Sequence, residues 1–447
     1  MKWENQITGD EHTGSGAAGS AAAGSAAAGG RRAGGPASGN RLVDWLLRPA
    51  SRSWQVVSLA VLLGIAVSTS LRANWGSDNA FVVKAAETLL AGGSPYEDKR
   101  FLYLPSAVLM AVPEAMLPRE VLRWVLPFGM SGLLGVGWLA ALRMFAVPLR
   151  SRFAVGGFAV FALAYKPYVN LVLIGNWTAI SAAALPVALL LAHRRSWGSA
   201  GLVVGLAIAC KPMLVPIGLL FLIARRWRGL AAAVLVPLGL SLAGALAMPS
   251  PTLFFTKTLP FLLQGQDAYA LPWDASPIAV LPRLGVPEPL AVLVAFAGAG
   301  AGLWAAWVRW RRPDDADGGE LRLVETACMV MLAAFLVSRP SFDHYLLVVL
   351  PLLLASAVRP GSMPRSPWFW AALGPQLAGV PWPRELEAKR RAFKDCATLC
   401  GLAFLLARRA LRSGRVTLEP VTTTGSPPRT EPECAATPAE TASRTAF

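Results

Sequence analysis

Apolar residues along this chain fall into long blocks that carry no formal charge and are separated by short polar segments. Clear examples are residues 56–69, 153–164, 178–192, 229–248 and 290–308. Crossing the hydrocarbon of a bilayer takes about 20 predominantly apolar residues, and a helix satisfies its own backbone hydrogen bonds there. Several blocks are shorter than this, so we expect some broken or tilted helices. The pattern predicts an all-α, polytopic membrane protein without a sizeable water-soluble domain.

Basic residues cluster at the ends of the apolar blocks. The clusters are Arg48 and Arg52; Arg150 and Arg152; Arg194 and Arg195; Arg225, Arg226 and Arg228; Arg309, Arg311 and Arg312; and Arg408, Arg409, Arg412 and Arg415. This pattern is typical of short cytoplasmic loops, which retain Lys and Arg. The net charge of +16 therefore indicates orientation in a membrane and not a nucleic-acid partner.

The two ends of the chain differ in composition from its apolar middle. Residues 1–50 are rich in Gly, Ala and Ser, and residues 416–447 in Thr, Pro and Glu, so neither can bury a core. We predict disordered cytoplasmic extensions there and a membrane domain over residues 51–415. The first apolar block begins near Trp54 and is long enough to remain as an anchor, so no cleaved signal peptide is expected.

With the basic clusters taken as cytoplasmic, the chain threads through about 11–13 membrane segments. The external segment 72–118 is predicted to form short helices on either side of a Gly92-Gly93-Ser94-Pro95 turn, the second lying along the outer interface. Both Arg195 and Arg225 should be cytoplasmic, and a single helix cannot return to the side where it began. We therefore expect a pair of short helices broken at Lys211-Pro212, because proline ends the helical hydrogen-bond ladder.

This threading brings a group of polar residues to or near the external face. They are Asp78, Asn176, Lys211, Asp267, Asp274, Arg339, Asp343 and His344. Polar groups are costly at this depth unless they line a wet cavity or bind a ligand. The five cysteines form no disulfide framework, and no cluster of His or carboxylate residues lies near Cys396 and Cys400, which are therefore expected to pack rather than to bind a metal. We expect an external site that uses neither a metal nor a cofactor.

Four motifs occur in order along the chain. They are Asp78 with Gly92-Gly93-Ser94-Pro95-Tyr96 and Tyr103-Leu104-Pro105; Gly175-Asn176-Trp177; Gly201-x3-Gly205 with Lys211-Pro212; and Ser338-Arg339-Pro340 to His344-Tyr345. Together they resemble glycosyltransferase family 87, which comprises polyprenol-phosphate-mannose-dependent α-mannosyltransferases and related arabinofuranosyltransferases. Asn176 stands where the family usually has glutamine, and Phe342 where tryptophan is common.

The resemblance implies a helical membrane bundle of the GT-C type and inversion at the anomeric carbon. It implies a polyprenyl-phosphate sugar donor, with mannose as the first choice of sugar and arabinofuranose as the next. The expected acceptor is a glycolipid or a glycan, and membrane lipid is the expected surroundings. We expect a multi-pass protein of the plasma membrane with its active site on the external face.

Sugar transfer passes through an oxocarbenium-like state, and the attacking hydroxyl must lose a proton to a base. Asp78 is the candidate base, and Asp267 or Asp274 is the second choice. Lys211 and Arg339 are candidates for contacting the leaving phosphate. His344 is a candidate for the same task or for sharing a proton with Asp78. The candidate substrate contacts are Asn176, Tyr96 and Tyr103.

Each candidate also has a purely structural explanation. Asp78 follows Ser77 before a predicted helix and could serve as an N-cap. Lys211 could extend its ammonium from a broken helix to the interface, and Arg339 could be a topological anchor. His344 could be an interfacial hydrogen-bonding residue, and the tyrosines could belong to an aromatic belt.

The main rival to a transferase is a transporter or a flippase for lipid-linked sugars, because broken helices mark carriers. The break at Lys211-Pro212 fits such a carrier. No repeated half with a second break is visible, however, and the polar residues concentrate on one face. The sequence therefore favours the transferase.

Overall fold

The computed structural model describes residues 41–98, 100–264, 270–312, 319–380 and 390–412. Within these ranges the protein is mainly helical and contains no strand. The β-type contacts in this part of the chain are the isolated bridges Pro49–Ser151 and Tyr165–Leu377. The protein is an all-α, polytopic membrane protein, as predicted.

The α-helices are numbered here in chain order. The first nine are α1 (Arg41–Leu47), α2 (Arg52–Ser70), α3 (Asn79–Leu90), α4 (Pro105–Ala115), α5 (Arg119–Met144), α6 (Arg152–Ala164), α7 (Lys166–Ile174), α8 (Thr178–His193) and α9 (Trp197–Cys210). The others are α10 (Gly218–Ile223), α11 (Trp227–Ala247), α12 (Leu259–Gln264), α13 (Pro277–Arg283), α14 (Glu288–Arg311), α15 (Glu320–Val337), α16 (Leu350–Ala355), α17 (Pro367–Leu373) and α18 (Arg390–Arg412).

Local chemistry sets several of these helix ends. The hydroxyl groups of Ser51 and Ser151 accept hydrogen bonds from the backbone amides of Trp54 and Ala154, which caps α2 and α6. Helix α7 ends at Gly175, whose φ of +65° lies in the left-handed region that glycine adopts readily. These caps allow a chain rich in apolar residues to turn between closely spaced helices.

Within the described residues, four helices are long and apolar enough to cross a membrane: α2, α5, α11 and α14. A fifth crossing results if α7 and α8, which meet at an angle of 119°, count as one bent span. The 11–13 segments expected also included broken and short helices, which fall below this length. Many apolar blocks are divided into shorter helices, such as α6 and α9, because prolines and glycines interrupt them.

The break at Lys211-Pro212 is present as predicted. Helix α9 ends at Cys210, Lys211 is extended with φ −151° and ψ 122°, and residues Pro212–Ile217 form a 3-10 helix that leads into α10. The segment 72–118, which was predicted to be external, likewise contains the short helices α3 and α4, separated by Gly92 with φ +79°. Both predictions followed from residues that cannot continue a helix.

Helices α9 and α11 pack closely through small residues. A Cβ atom at Gly205 would lie 2.8 Å from the backbone oxygen of Ala232 and 3.0 Å from the Cβ of Val236. The Gly201-x3-Gly205 motif therefore allows the backbones to approach each other, as small residues do in membrane helices. This packing holds the C-terminal end of α9, and with it Lys211, in place.

Helices α8, α9 and α15 each have basic residues at or beside one end. Each has one of the polar residues that were predicted to be external beside its other end. Asn176 precedes α8, Lys211 follows α9 and Arg339 follows α15. At its other end α15 is joined to its neighbours by Glu325, whose carboxylate lies 2.7 Å from Arg309 and 2.6 Å from Arg409. The 18 residues of α15 span about 27 Å, so the basic end and the polar end are well separated.

The described residues from Leu42 onward form one compact unit. Helix α1 covers Arg41–Leu47, which the sequence had assigned to the disordered extension 1–50. The following residues are paired as well, because the amide of Ala50 donates to the carbonyl of Arg150 at 2.7 Å. The remaining residues of the predicted extensions, 1–40 and 416–447, lie outside the described ranges.

Candidate active site

A cavity of about 550 Å³ opens where α3, α8, the Lys211 break and the end of α15 meet. One wall is polar, and it is lined by Asp78, Tyr103, Asn176, Lys211, Arg339 and Tyr345. An apolar wall of the same cavity contains Phe81, Leu102, Met213, Val215, Phe261 and Leu262. Five of the seven predicted site residues therefore share one cavity.

Asp78 lies immediately before α3 but does not cap that helix. Its backbone is already helical, with φ −80° and ψ −35°, and its side chain accepts no bond from the amides of α3. Its Oδ2 instead accepts a hydrogen bond from Nδ2 of Asn176 at 2.6 Å. Within the described part of the chain, no other hydrogen bond reaches this carboxylate, so Oδ1 is available to a ligand. The N-cap explanation for Asp78 does not hold.

Asn176 connects the carboxylate to the neighbouring cation. Its Oδ1 accepts hydrogen bonds from Nζ of Lys211 at 2.6 Å, from the amide of Thr178 at 2.9 Å and from the Thr178 hydroxyl at 2.7 Å. These donors hold the amide oxygen toward Lys211 and direct the amide nitrogen toward Asp78. Asn176 therefore orients Asp78 and Lys211 from within the wall, a role that the sequence did not predict.

Lys211 is held at the helix break by neutral acceptors. Its Nζ donates to Asn176 and also to the hydroxyl of Thr178 at 2.9 Å. It lies 5.4 Å from the centroid of the Tyr345 ring, within the range of a cation–π contact. No carboxylate forms an ion pair with Lys211 among the residues described, so its charge remains available to an anion.

Arg339 follows α15 and lines the same cavity. The segment after it is tied down by Asp274, whose Oδ1 accepts from the amides of Ser276 at 2.8 Å and Ser341 at 2.9 Å. Asp274 is fully buried and does not line the cavity, and burial raises the pKa of its carboxyl. Its position corrects the second choice of base, because this carboxylate anchors a loop. Asp267, the other second choice, lies outside the described residues.

Tyr103 lines the cavity, whereas Tyr96 does not. The Tyr96 ring is fully buried against Phe101 and Phe254, with centroids 5.4 Å away in each case. Its hydroxyl donates to the carbonyl of Tyr103 at 3.0 Å. The predicted substrate contact of Tyr96 is therefore corrected to an internal one, which supports the loop carrying Tyr103.

His344 is buried behind the cavity wall and does not line it. Its Nδ1 lies 3.0 Å from Oδ1 of Asp343, and its Nε2 has no hydrogen-bond partner. The 3-10 turn Asp343–Val348 directs His344 inward, while the adjacent Tyr345 reaches the cavity. The predicted phosphate contact of His344 is corrected accordingly: its ring stacks at 5.6 Å against Phe342, which does line the cavity.

Three residues of the site were not predicted from the sequence. Thr178 holds Asn176 and Lys211, Tyr345 places its ring beside Lys211, and Arg100 lines the cavity. Thr178 follows the Gly-Asn-Trp motif directly, which was the available signal. In the described ranges, no group of three or more His, Cys, Asp or Glu side chains could hold a metal ion.

Comparison with known proteins identifies relatives of this chain. The sequence model of glycosyltransferase family 87 matches residues 101–339. An α-(1→3)-arabinofuranosyltransferase of Mycobacterium tuberculosis is 27% identical over 283 residues, which cover 62% of this chain and 63% of the relative. The chain thus matches less than two thirds of that relative's length. No solved structure gives a significant match.

A second kind of relative is also similar. It is a polyprenol-phosphate-mannose-dependent α-(1-2)-phosphatidylinositol mannoside mannosyltransferase of Mycolicibacterium smegmatis, 31% identical over 55% of this chain and 52% of the relative. A Corynebacterium glutamicum α-(1→3)-arabinofuranosyltransferase is 29% identical over 38% of the chain and 41% of its own length. Because the family model covers more than half of the 447 residues, this chain belongs to glycosyltransferase family 87.

Proposed function

We propose that this protein transfers a sugar from a polyprenyl-phosphate donor to a glycolipid or glycan hydroxyl at the external face of the plasma membrane. The observation that most supports this function is the polar wall of the cavity. It places the carboxylate of Asp78 and the cations Lys211 and Arg339 around one space. A base and an anion site side by side are what transfer from a sugar phosphate requires.

The chemistry assigns each group a step. The acceptor oxygen attacks the anomeric carbon, and its proton passes to Oδ1 of Asp78. The bond between the anomeric carbon and the phosphate oxygen breaks, and polyprenyl phosphate leaves with an additional negative charge. Lys211 and Arg339 stabilise that charge as it develops. A single displacement of this kind inverts the anomeric carbon.

The apolar wall of the cavity supports a lipid-linked donor. Met213, Val215 and Phe261 face the same space as the cations, so a ligand there meets a polar and an apolar surface together. A polyprenyl phosphate has this division within one molecule, whereas a nucleotide sugar is polar throughout. The printed name of the mannosyltransferase relative includes a polyprenol-phosphate donor, which is consistent with this choice.

The proposed orientation rests on the basic clusters at the opposite ends of the helices from the cavity. Arg194 and Arg195 follow α8 at its far end, and Arg309 and Arg409 surround Glu325 near the start of α15. If these basic ends are cytoplasmic, as short basic loops usually are, then the cavity opens externally.

Purified protein in detergent should be incubated with polyprenyl-phosphate mannose and, separately, with polyprenyl-phosphate arabinofuranose, each carrying a labelled sugar. Glycolipids extracted from cell envelopes serve as acceptors. We propose mannose as the donor sugar and arabinofuranose as the alternative, since relatives of both kinds are similar. Label should move from one donor to a glycolipid product. If neither donor loses label to any acceptor, the proposed function is wrong.

A further inference from the structure

Two consecutive pairs of side chains join the start of α3 to the loop before α8. Asn176 donates to Asp78 at 2.6 Å, and the next residue along each segment repeats the contact, because Nε1 of Trp177 donates to Oδ1 of Asn79 at 2.8 Å. The second pair is set deeper in the protein, with Asn79 only 1% and Trp177 only 2% exposed. The buried pair Asn79–Trp177 therefore holds in place the two segments that carry Asp78 and Asn176.

The other end of the Asn79 amide is also bound. Its Nδ2 donates to Oε2 of Glu114 on α4 at 2.7 Å. An indole N–H, which can only donate, meets the amide oxygen, and a carboxylate meets the amide nitrogen. The oxygen and the nitrogen of the buried Asn79 amide are thus both hydrogen-bonded, and these two partners determine the orientation of the amide. Asn79 cannot rotate without breaking both bonds.

The backbone continues this connection. The backbone amide of Gly76 donates to the carbonyl of Leu173 at 2.7 Å. The backbone amide of Asp78 donates to the carbonyl of Ile174 at 2.9 Å. Gly175 permits the close approach, because a Cβ there would lie 3.1 Å from the Cβ of Asn79. The segment that carries Asp78 is therefore fastened along its length to the loop that carries Asn176.

We propose that Glu114, Asn79 and Trp177 form a positioning network that directs the Asp78 carboxylate at the substrate. This inference rests on the proposed role of Asp78 as the base. Trp177 also meets the Tyr103 ring edge to face, with centroids 6.2 Å apart, so the network supports a second residue of the cavity wall. None of its three members lines the cavity, and each acts through a residue that does.

Trp177→Phe tests the network, because it removes the indole N–H and keeps an aromatic ring. We expect kcat to fall about tenfold, the effect of losing one buried hydrogen bond in the transition state, while the donor KM stays unchanged. Trp138→Phe is the matched control, since Trp138 is 3% exposed and donates Nε1 to Ala154 at 2.9 Å, away from the cavity. A wild-type kcat in folded Trp177→Phe would overturn the proposal.

Coupling to Asp78 separates positioning from general destabilisation. In an Asp78→Asn background the base is already lost, so Trp177→Phe should cause no further fall in the residual rate. An equal fall in both backgrounds would overturn the proposal, because the network would then act on something other than Asp78.

Glu114 provides a rescue experiment. Glu114→Gln keeps an oxygen that can accept from Asn79, so kcat should remain within about twofold of wild type. Glu114→Ala leaves the Asn79 amide nitrogen unpaired, and kcat should fall about tenfold. Equal loss in the two variants would contradict positioning through this hydrogen bond.

A measurement that needs no activity keeps the network testable if the proposed function fails. In a background without the native cysteines, a cysteine introduced as Asp78→Cys is labelled with a small cationic thiol reagent. Trp177→Phe should raise the labelling rate, because the released segment samples more orientations, and Trp138→Phe should leave it unchanged. Equal rates in all three proteins would overturn the network, whatever reaction the enzyme catalyses.

Discussion

One carboxylate oxygen of Asp78 is held by a hydrogen bond, and the other is available to a ligand. Nδ2 of Asn176 donates a hydrogen bond to Oδ2 of Asp78 at 2.6 Å, and the carboxylate does not cap the N-terminus of α3. A base that is held on one side loses little conformational freedom when it accepts a proton on the other. This arrangement supports the choice of Asp78 above every other carboxylate of the described residues.

Asp78→Asn should abolish most of the transfer activity. The amide oxygen of the new residue can still accept from Asn176, so the fold should be retained, but the group can no longer take a proton. We expect the rate to fall about 100-fold or more. The rate is measured with labelled donor, and Asp44→Asn, an exposed carboxylate on α1, serves as the control. Full activity of a folded Asp78→Asn protein would remove Asp78 from the mechanism.

The cations of the cavity can be tested by their effect on donor use. A hydrogen bond to a charged group contributes about 1.5–3 kcal/mol, so Lys211→Ala and Arg339→Ala should each lower kcat/KM for the donor about tenfold to 100-fold. Lys84→Ala is the control, because Lys84 is 67% exposed and, among the described residues, forms its ion pair with Asp98 at the surface. Wild-type kcat/KM in both cavity variants would mean that the phosphate binds elsewhere.

At the scale of helices, a broken helix and a glycine-mediated contact together determine where Lys211 lies. Helix α9 must stop at Cys210 because Pro212 cannot continue the ladder, and Lys211 takes the extended conformation between them. The close approach of α9 to α11 at Gly205 then sets the depth of that break in the bundle. The end of α9 and its contact with α11 therefore hold Lys211 at the cavity, where the proposed reaction needs a cation.

Gly205→Ala should destabilise the protein, because the added Cβ would lie 2.8 Å from the backbone oxygen of Ala232. Overpacking of this kind costs about 1–3 kcal/mol. Gly239→Ala in α11 is the matched control, since a Cβ there meets no atom within 4 Å. Thermal unfolding in detergent, followed by circular dichroism, should show a lower midpoint for Gly205→Ala alone. Equal midpoints would contradict the proposed role of this contact.

At the scale of the whole molecule, charge and polarity divide between the two ends of the helices. The basic end is joined internally by Glu325 with Arg309 and Arg409, and the polar end contains the cavity. A membrane protein arranged in this way has one orientation favoured by its loop charges. The proposed external active site depends on that orientation.

Cysteine labelling in intact cells tests the orientation. In a cysteine-free background, Ser77→Cys beside Asp78 should react with an impermeant thiol reagent added outside. Ser196→Cys, between the basic residues and α9, should react only after the membrane is permeabilised. The reverse result would place the cavity on the cytoplasmic side and would refute the external active site.

The sequence by itself determined the helical class, the break at Lys211-Pro212 and five of the residues that line the cavity. These features depend on local chemistry, because the length of an apolar block and the position of a proline or glycine act within a few residues. Polar side chains in so apolar a chain are also expected to gather where they can meet water or one another. The number of helices long enough to cross a membrane is smaller than the number of predicted segments, because prolines and glycines divide several apolar blocks into shorter helices.

Only the tertiary structure decided which side chains meet. Asp78 and Asn176 are 98 residues apart in sequence, and so are Asn79 and Trp177. Tyr96 and His344 are buried in the core, although Tyr345, the residue after His344, reaches the cavity, and Asp274 anchors a loop. The direction of each of these side chains is set by packing between helices that are distant along the chain, and no spacing within one segment encodes that direction.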